Sequence, residues 1–293
     1  MVAPQAGLAA LALTFNALTW GLSWWPFRWF QEQGVHPLWA TACIYAVAVA
    51  ALLAARPQAL GHLLRTPSLW WLVLAAGVTN ATFNWAVTIG DVVRVVLLFY
   101  LMPLWAVLLA RVLLGERLTT LAALRVAMAL GGALIVLWPE AGGWPLPRTA
   151  ADWLGVAGGF SFALNNVMLR REAHRPEAAR ALAMFGGGTL VSAGLALTLT
   201  GSGALAAPAA FSWGWAVPAL VLAFMFLLGN LALQYGAARL PANATAVVML
   251  SEVLFASVSA VLLGAGVLTP ALVLGGALIL GASLLVAWRP RGG

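Results

Sequence analysis

The chain has 293 residues, of which 63% are hydrophobic and 8% carry a charge. A soluble domain has about 25% charged residues, so a chain of this composition cannot cover its own core with polar side chains. These numbers exclude a soluble enzyme, a nucleic-acid-binding module and a disordered chain. The net charge of +7 comes entirely from arginine, since the chain has no lysine. We therefore expect an all-α integral membrane protein whose partner is the lipid bilayer, with no nucleic-acid partner.

Apolar stretches separated by charged residues, proline and glycine predict ten transmembrane helices. A spanning helix needs about 20 apolar residues, and a chain of this length without a soluble domain holds about ten. No charge precedes Leu8, and the first apolar stretch is too long for a cleavable signal. The predicted spans are 7–27, 38–55, 68–89, 92–114, 120–138, 152–171, 179–200, 213–235, 241–263 and 270–288.

The distribution of arginine predicts the orientation of these spans. With ten spans, both termini lie on the same side of the membrane. If that side is the cytoplasm, only Arg28, Arg94 and Arg148 lie outside, and the remaining 12 of the 15 arginines lie inside. An excess of arginine in cytoplasmic loops is the usual bias of membrane proteins. We therefore expect both termini to be cytoplasmic.

An internal repeat divides the chain into halves 1–146 and 147–293. Four short segments recur in the same order at similar separations, which favours a repeat over chance similarity. Five spans per half is an odd number, so the second half must enter the membrane from the opposite face. Two inverted repeats of this kind open a midplane site alternately to each side. The matched segments are 17–18 with 163–164, 84–90 with 230–236, 112–115 with 261–264, and 131–135 with 275–279.

Two segments resemble a known family. Residues 101–119 (LMPLWAVLLARVLLGERLT) resemble the fourth-helix signature of the EamA family, part of the drug/metabolite transporter superfamily. Residues 17–24 (ALTWGLSW) are similar to its first-helix signature. The resemblance implies two five-helix units, no cofactor, and a place in the bacterial inner membrane. Its tryptophan-rich first helix is most similar to the bacterial aromatic amino acid exporters. The second half departs from the pattern, because Gly264 is followed by Ala265 rather than by an acid.

Polar and aromatic side chains within the spans are the candidates for a substrate cavity. Polar groups are costly in a bilayer and face a cavity or a neighbouring helix. Amides both donate and accept hydrogen bonds, which suits a zwitterion, but hydrogen bonding between helices explains them as well. The aromatic residues could line an apolar wall or pack against lipid. The candidates are Thr19, Trp20, Ser23, Asn80, Phe83, Asn84, Phe99, Tyr100, Asn165, Asn166, Asn230 and Gln234.

Four further residues stand out for their chemistry. Glu252 is the only charge between Arg239 and Arg289, so it is a candidate for proton coupling, with a neutral structural carboxyl as the alternative. Pro103 lies within the fourth span and should bend it. Asp91 and Arg94 flank the outer turn between the third and fourth spans, where we expect a solvated pair or a gate.

These features favour a secondary transporter that exports small metabolites by alternating access and works as a monomer. The resemblance points to amino acids, aromatic and other neutral ones. No catalytic or metal-binding constellation is present, and a lysine-free chain has no ATP-binding loop of the Walker type. The alternative is a membrane-embedded lipid flippase or an intramembrane enzyme. The exact substrate, the direction of transport and the coupling ion stay open.

Overall fold

The computed structural model describes residues 3–115, 120–138, 146–207, 210, 212–237, 248–249 and 251–287. Within these residues the chain is helical and contains no strand, so the predicted all-α class is confirmed for them. The helices are α1 (Ala3–Leu22), α2 (Trp24–Glu32), α3 (Pro37–Ala55), α4 (Gln58–Leu64), α5 (Pro67–Ile89), α6 (Val92–Phe99), α7 (Met102–Leu114), α8 (Thr120–Leu137), α9 (Ala150–Arg171), α10 (Glu177–Gly201), α11 (Trp213–Ala237), α12 (Ser251–Leu262) and α13 (Pro270–Ala287).

Each predicted span overlaps helical structure, but helices and spans do not correspond one to one. The fourth predicted span is divided between α6 and α7, and the short α4 after the second span was not expected. The described residues support a protein that crosses the membrane several times, while the count of ten stays a prediction. Five described stretches are long and apolar enough to cross a bilayer: Pro37–Ala55, Pro67–Ile89, Val92–Leu113, Glu177–Gly201 and Trp213–Leu233.

Two breaks between helices lie four residues before a proline. α1 ends at Leu22, four positions before Pro26, and α6 ends at Phe99, four positions before Pro103. Proline has no N–H, and its ring clashes with the carbonyl of residue i−4, so a helix bends or ends there. Each proline lies in the first turn of the next helix, where its N–H would have no helical partner. The fourth span thus has a break where the sequence predicts a bend.

The helices pack in pairs that join the two halves of the chain. α1 packs along α11, and α5 packs along both α9 and α10. α3 contacts α10 and α11, while α6 and α7 lie against α9 and α12 lies against α1. α8 and α13 pack mainly against each other. These contacts place helices from both halves around one centre, with α8 and α13 beside it.

The contact between α8 and α13 is reciprocal. A Cβ atom built on Gly132 would lie 2.5 Å from the carbonyl oxygen of Gly275, and one built on Gly275 would lie 2.6 Å from the carbonyl oxygen of Gly132. Each glycine also faces the residue four positions beyond the other, Ile279 and Val136 respectively. Small residues allow helix backbones in a membrane to approach this closely. The recurring 131–135 and 275–279 segments therefore form one helix–helix interface.

Arg94 forms a different ion pair from the one expected from the sequence. Its Nε donates to Oδ1 of Asp152 at 2.7 Å, and its Nη1 donates to the carbonyl oxygen of Val136 at 2.7 Å. Asp91 caps α6 by accepting the backbone N–H of Arg94 at 2.8 Å, and its second oxygen accepts the N–H of Val267 at 3.1 Å. The expected solvated pair of Asp91 and Arg94 is therefore wrong. An aspartate at a helix start binds the nearby backbone N–H groups, which leaves the guanidinium for another carboxylate.

Candidate functional site

A cavity of about 110 Å³ lies between α1, α5, α6, α9, α10, α11 and α12. It is smaller than the roughly 300–1,000 Å³ of pockets for drug-sized ligands, so it suits a small molecule. α8 and α13 contribute no side chain among the described residues that line it. The described lining residues are Asn16, Trp20, Ala76, Thr79, Asn80, Phe83, Phe99, Phe162, Asn165, Met184, Asn230, Leu233, Met249 and Glu252.

Two amide oxygens at the cavity have no hydrogen-bond partner among the described residues. They belong to Asn16 on α1 and Asn165 on α9, which are 1% and 2% exposed. The Nδ2 of Asn16 donates to the sulfur of Met249 at 3.5 Å. A thioether can accept a hydrogen bond but cannot donate one, so the nitrogen faces the sulfur and the oxygen is the free atom. A buried acceptor without a partner is unfavourable unless a ligand or a water molecule donates a hydrogen bond to it.

The amide of Asn80 is held by its neighbours. Its Oδ1 accepts the hydroxyl of Tyr45 at 2.5 Å, and its Nδ2 donates to the carbonyl oxygen of Ala76 at 2.7 Å. One residue earlier on α5, the Thr79 hydroxyl lies 3.1 Å from the hydroxyl of Ser161 on α9. These bonds fix the polar face of α5 against α3 and α9. Asn80 therefore contributes an oriented side chain to the cavity wall.

Among the described lining residues, Glu252 is the one with an acidic or basic side chain. It lies in the first described turn of α12. The hydroxyl of Tyr100, at the end of α6, interacts with its carboxyl group. No ion pair of Glu252 with an arginine is found among the described residues. The carboxyl thus faces a phenol and the cavity rather than a fixed cation.

Aromatic rings form much of the remaining wall. The ring of Phe99 lies 4.8 Å from that of Phe83 and 5.2 Å from that of Phe162, measured between centroids. The indole of Trp20 stacks on Phe226, with centroids 4.5 Å apart. Such pairs are stabilising beyond the area that they bury, so these rings have fixed positions. The cavity therefore combines amides and one carboxyl group with a rigid aromatic surface.

Seven of the residues predicted from the sequence line this cavity, and others lie elsewhere. The Thr19 hydroxyl donates to the Phe15 carbonyl oxygen at 2.8 Å, and the Ser23 hydroxyl donates to the Trp20 carbonyl oxygen at 2.7 Å. Both hydroxyls thus bond to backbone carbonyl groups of α1. The predicted residues that line the cavity are Trp20, Asn80, Phe83, Phe99, Asn165, Asn230 and Glu252.

Three predicted residues are not among the described lining residues themselves. Asn84 is fully buried and donates from Nδ2 to the Thr41 hydroxyl at 3.0 Å, which joins α5 to α3. Asn166 is exposed and lies 3.5 Å from the sulfur of Met102, and Tyr100 reaches the cavity through Glu252. The side chain of Gln234 lies outside the described residues, as do 116–119 of the family signature.

Several lining residues are not among the cavity candidates predicted from the sequence. Asn16 precedes Trp20 by four positions, a spacing that places both on one helix face and could have identified it. Phe162 and Met249 lie three positions before Asn165 and Glu252, so the same helical spacing could have identified them. Met184 carries no such signal, because its neighbours in the sequence are apolar residues and glycines. Among the described residues, no three His, Cys, Asp or Glu side chains lie close enough to hold a metal ion.

Comparison with known proteins confirms the predicted resemblance to the EamA family within the first half of the chain. Residues 7–138 match the EamA-like transporter family. The "Chloramphenicol-sensitive protein RarD" of Pseudomonas aeruginosa is 46% identical over 56 residues, which make up 19% of this chain and 19% of that protein. The chain thus matches about a fifth of that relative's length. A crystal structure of another protein, 22% identical, covers 95% of this chain and 96% of its own with a TM-score of 0.59. At that identity the likeness shows the fold alone.

Proposed function

We propose that this chain, an EamA-like transporter over residues 7–138, is a secondary carrier that exports neutral amino acids, aromatic ones included. The supporting observation is the small cavity at the meeting point of both halves, lined by amides, Glu252 and aromatic rings. A small polar ligand with an apolar side chain matches these surfaces. On this proposal the protein lies in the bacterial inner membrane with both termini in the cytoplasm and works as a monomer.

The helix contacts support an architecture of ten spans in two inverted halves, 1–146 and 147–293. If spans one to five correspond to spans six to ten, the contact of α1 with α11 has α9 with α5 as its counterpart. The contact of α12 with α1 likewise corresponds to that of α6 and α7 with α9, and α3 with α11 corresponds to α10 with α5. The pairs α3 with α10 and α8 with α13 are their own counterparts. A two-fold relation between the halves generates this set of contacts.

Matched glycines behave alike in the two halves, which supports the same architecture. Gly115 and Gly264 both have φ of +68°, a left-handed conformation that ends α7 and follows α12. Gly90 at the end of α5 abuts Ala151 at the start of α9. Its counterpart, Gly236 near the end of α11, abuts Leu13 of α1. Gly90 and Gly236 therefore each pack against the first helix of the opposite half of the chain.

The cavity argues against a lipid flippase or an intramembrane enzyme, the alternative functions. A flippase needs a polar track for a head group that opens sideways to lipid, whereas this cavity of about 110 Å³ is lined by residues of seven helices and 248–249. An enzyme needs a nucleophile with a base or a metal. The described lining holds a single carboxyl group, with no histidine or cysteine beside it.

The proposal is tested by transport into liposomes that hold the purified protein. A panel of labelled neutral amino acids is offered with and without a pH gradient, and protein-free liposomes give the background. We expect saturable flux for aromatic amino acids and inhibition among members of the panel. Absence of flux for every amino acid, together with protein-dependent flipping of a fluorescent phospholipid in the same vesicles, would instead establish the lipid function.

A further inference from the structure

We propose that the cavity recognises the ammonium group of its ligand and makes no use of a carboxylate, so that it accepts aromatic primary amines. The inference rests on the proposed function in treating this cavity as the transport site. It replaces the zwitterion, as the group that defines the substrate class, by a primary ammonium group beside an aromatic ring.

Two fully buried polar atoms at the cavity are acceptors without a partner among the described residues. Asn16 and Asn165 present amide oxygens that no described residue satisfies, although both side chains are at least 98% buried. Glu252 adds carboxyl oxygens to the same cavity. An ammonium group has three N–H donors and no acceptor, so it can satisfy one oxygen on each of α1, α9 and α12. Hydrogen bonds that involve charged partners are roughly twice as strong as neutral ones.

A carboxylate meets only neutral donors among the described lining residues. None of the described lining residues is arginine, lysine or histidine. The Asn80 amide nitrogen is already bonded to the Ala76 carbonyl oxygen, and that of Asn16 faces Met249. A second carboxylate close to Glu252 would add repulsion between like charges. The described surfaces thus favour a cation and disfavour an anion.

The aromatic wall suits the rest of such a ligand. Phe83, Phe99 and Phe162 form a contiguous cluster, and Trp20 lines the same cavity. Phenyl and indole rings bind an apolar side chain by burial and attract a nearby ammonium through their faces. A ring joined to a primary amine by a short chain places both groups on matching surfaces.

Three related ligands test the inference by calorimetric titration of the full-length protein in detergent. 2-Phenylethylamine has the ammonium group alone, 3-phenylpropanoate has the carboxylate alone, and L-phenylalanine has both. We expect 2-phenylethylamine to bind at least as tightly as L-phenylalanine, and at least about tenfold more tightly than 3-phenylpropanoate. Binding of 3-phenylpropanoate with equal or higher affinity would overturn the inference, and so would the absence of binding by all three.

Variants locate the binding groups. Glu252→Gln keeps the size of the side chain, and we expect it to weaken binding of 2-phenylethylamine at least about tenfold. Asn165→Leu should weaken it several-fold, whereas Asn166→Leu, the exposed neighbour on the same helix, is the matched control and should leave it within about twofold. Gel filtration checks that each variant is folded. Unchanged affinity in Glu252→Gln would overturn the inference even if Asn165→Leu does not fold.

The two proposals can fail separately. If liposomes transport amino acids but the protein binds 3-phenylpropanoate better than 2-phenylethylamine, the carrier function stands and ammonium recognition is wrong. If the amine binds but no amino acid is transported, recognition stands and amino acid export is wrong.

Discussion

Glu252 combines two properties that rarely occur together in a membrane protein. It carries a titratable group into a region of apolar helices, and it faces a cavity rather than a compensating arginine among the described residues. An ionisable side chain in such a place is costly, so a functional role is the first explanation to test. The phenol of Tyr100 is the other titratable group found beside it in the described part of the chain. Either proton coupling or ligand binding would use the carboxyl group directly.

Proton coupling is tested with Glu252→Gln in liposomes, at substrate concentrations well above KM so that weakened binding does not limit flux. Glutamine keeps the hydrogen-bonding capacity but cannot release a proton. We expect the variant to lose the response to a pH gradient while exchange at equal pH continues. Equal pH dependence in the wild type and the variant would reject coupling through Glu252. Glu252→Ala, measured alongside, shows how much the fold depends on filling this position.

Asn84 gives the contrasting case of a buried amide that holds helices together. Its bond to the Thr41 hydroxyl joins α5 to α3, away from the described cavity lining. Asn84→Ala should lower the free energy of unfolding in detergent by about 1 kcal/mol, because the bond is lost. The KM for transport should stay within about twofold. The exposed Asn166→Ala is the control, and a raised KM without loss of stability would instead place Asn84 at the substrate.

At the scale of elements, the break in the fourth span is the feature best suited to movement. It separates α6, which carries Phe99 at the cavity, from α7, which follows it in the chain. Pro103→Ala restores an N–H that can bond to the Phe99 carbonyl oxygen and continue the helix. We expect a higher unfolding temperature and transport slowed by roughly threefold or more, since loops and breaks that absorb motion set many turnover rates.

Pro218 provides the control for that experiment. It lies inside α11, which continues through it without a break. Pro218→Ala should leave the transport rate close to that of the wild type. Equal slowing in both variants, or none in Pro103→Ala, would show that the break has no part in transport.

The close contact of α8 and α13 predicts that two adjacent glycines of α8 differ in their tolerance of a side chain. A methyl group on Gly132 would meet the Gly275 backbone at 2.5 Å, whereas the nearest atom to one on the adjacent Gly131 is 3.9 Å away, on Leu278. Gly132→Ala should therefore lower the free energy of unfolding by about 1–3 kcal/mol through overpacking, with Gly131→Ala close to neutral or slightly stabilising. Chemical unfolding of both variants in detergent measures the difference. Equal effects would mean that the helices can separate without loss.

The sequence predicted the helices better than it predicted which side chains of each helix face the cavity. Length, apolar stretches and proline positions indicate helices and their breaks directly, because these depend on local chemistry. Asn165 and Asn166 are adjacent on α9, yet only the first lines the cavity. In helices that are apolar on all sides, no polar face marks the centre, so the choice depends on packing with other helices. The pairing of Arg94 with Asp152 likewise depends on long-range contacts.

At the scale of the whole molecule, the inverted repeat and the arginine distribution together predict on which side of the membrane two equivalent loops lie. The loop after the second span and the loop after the seventh span occupy equivalent places in the two halves. Inversion places them on opposite sides of the membrane, whereas a direct repeat would place both on the same side. The arginine bias assigns the first loop to the cytoplasm and the second to the outside.

Labelling of single cysteines in these two loops tests both the inversion and the orientation. The native Cys43 is first changed to serine, and then His62→Cys on α4 or Ser202→Cys after α10 is introduced, both at exposed positions. Intact cells are treated with a maleimide that does not cross membranes. We expect Ser202→Cys to react in intact cells and His62→Cys to react only after the membrane is opened. The reverse labelling would contradict the orientation alone, because the halves would still be inverted. Labelling of both positions from the same side would contradict inversion itself, and with it the alternating exposure of a shared cavity.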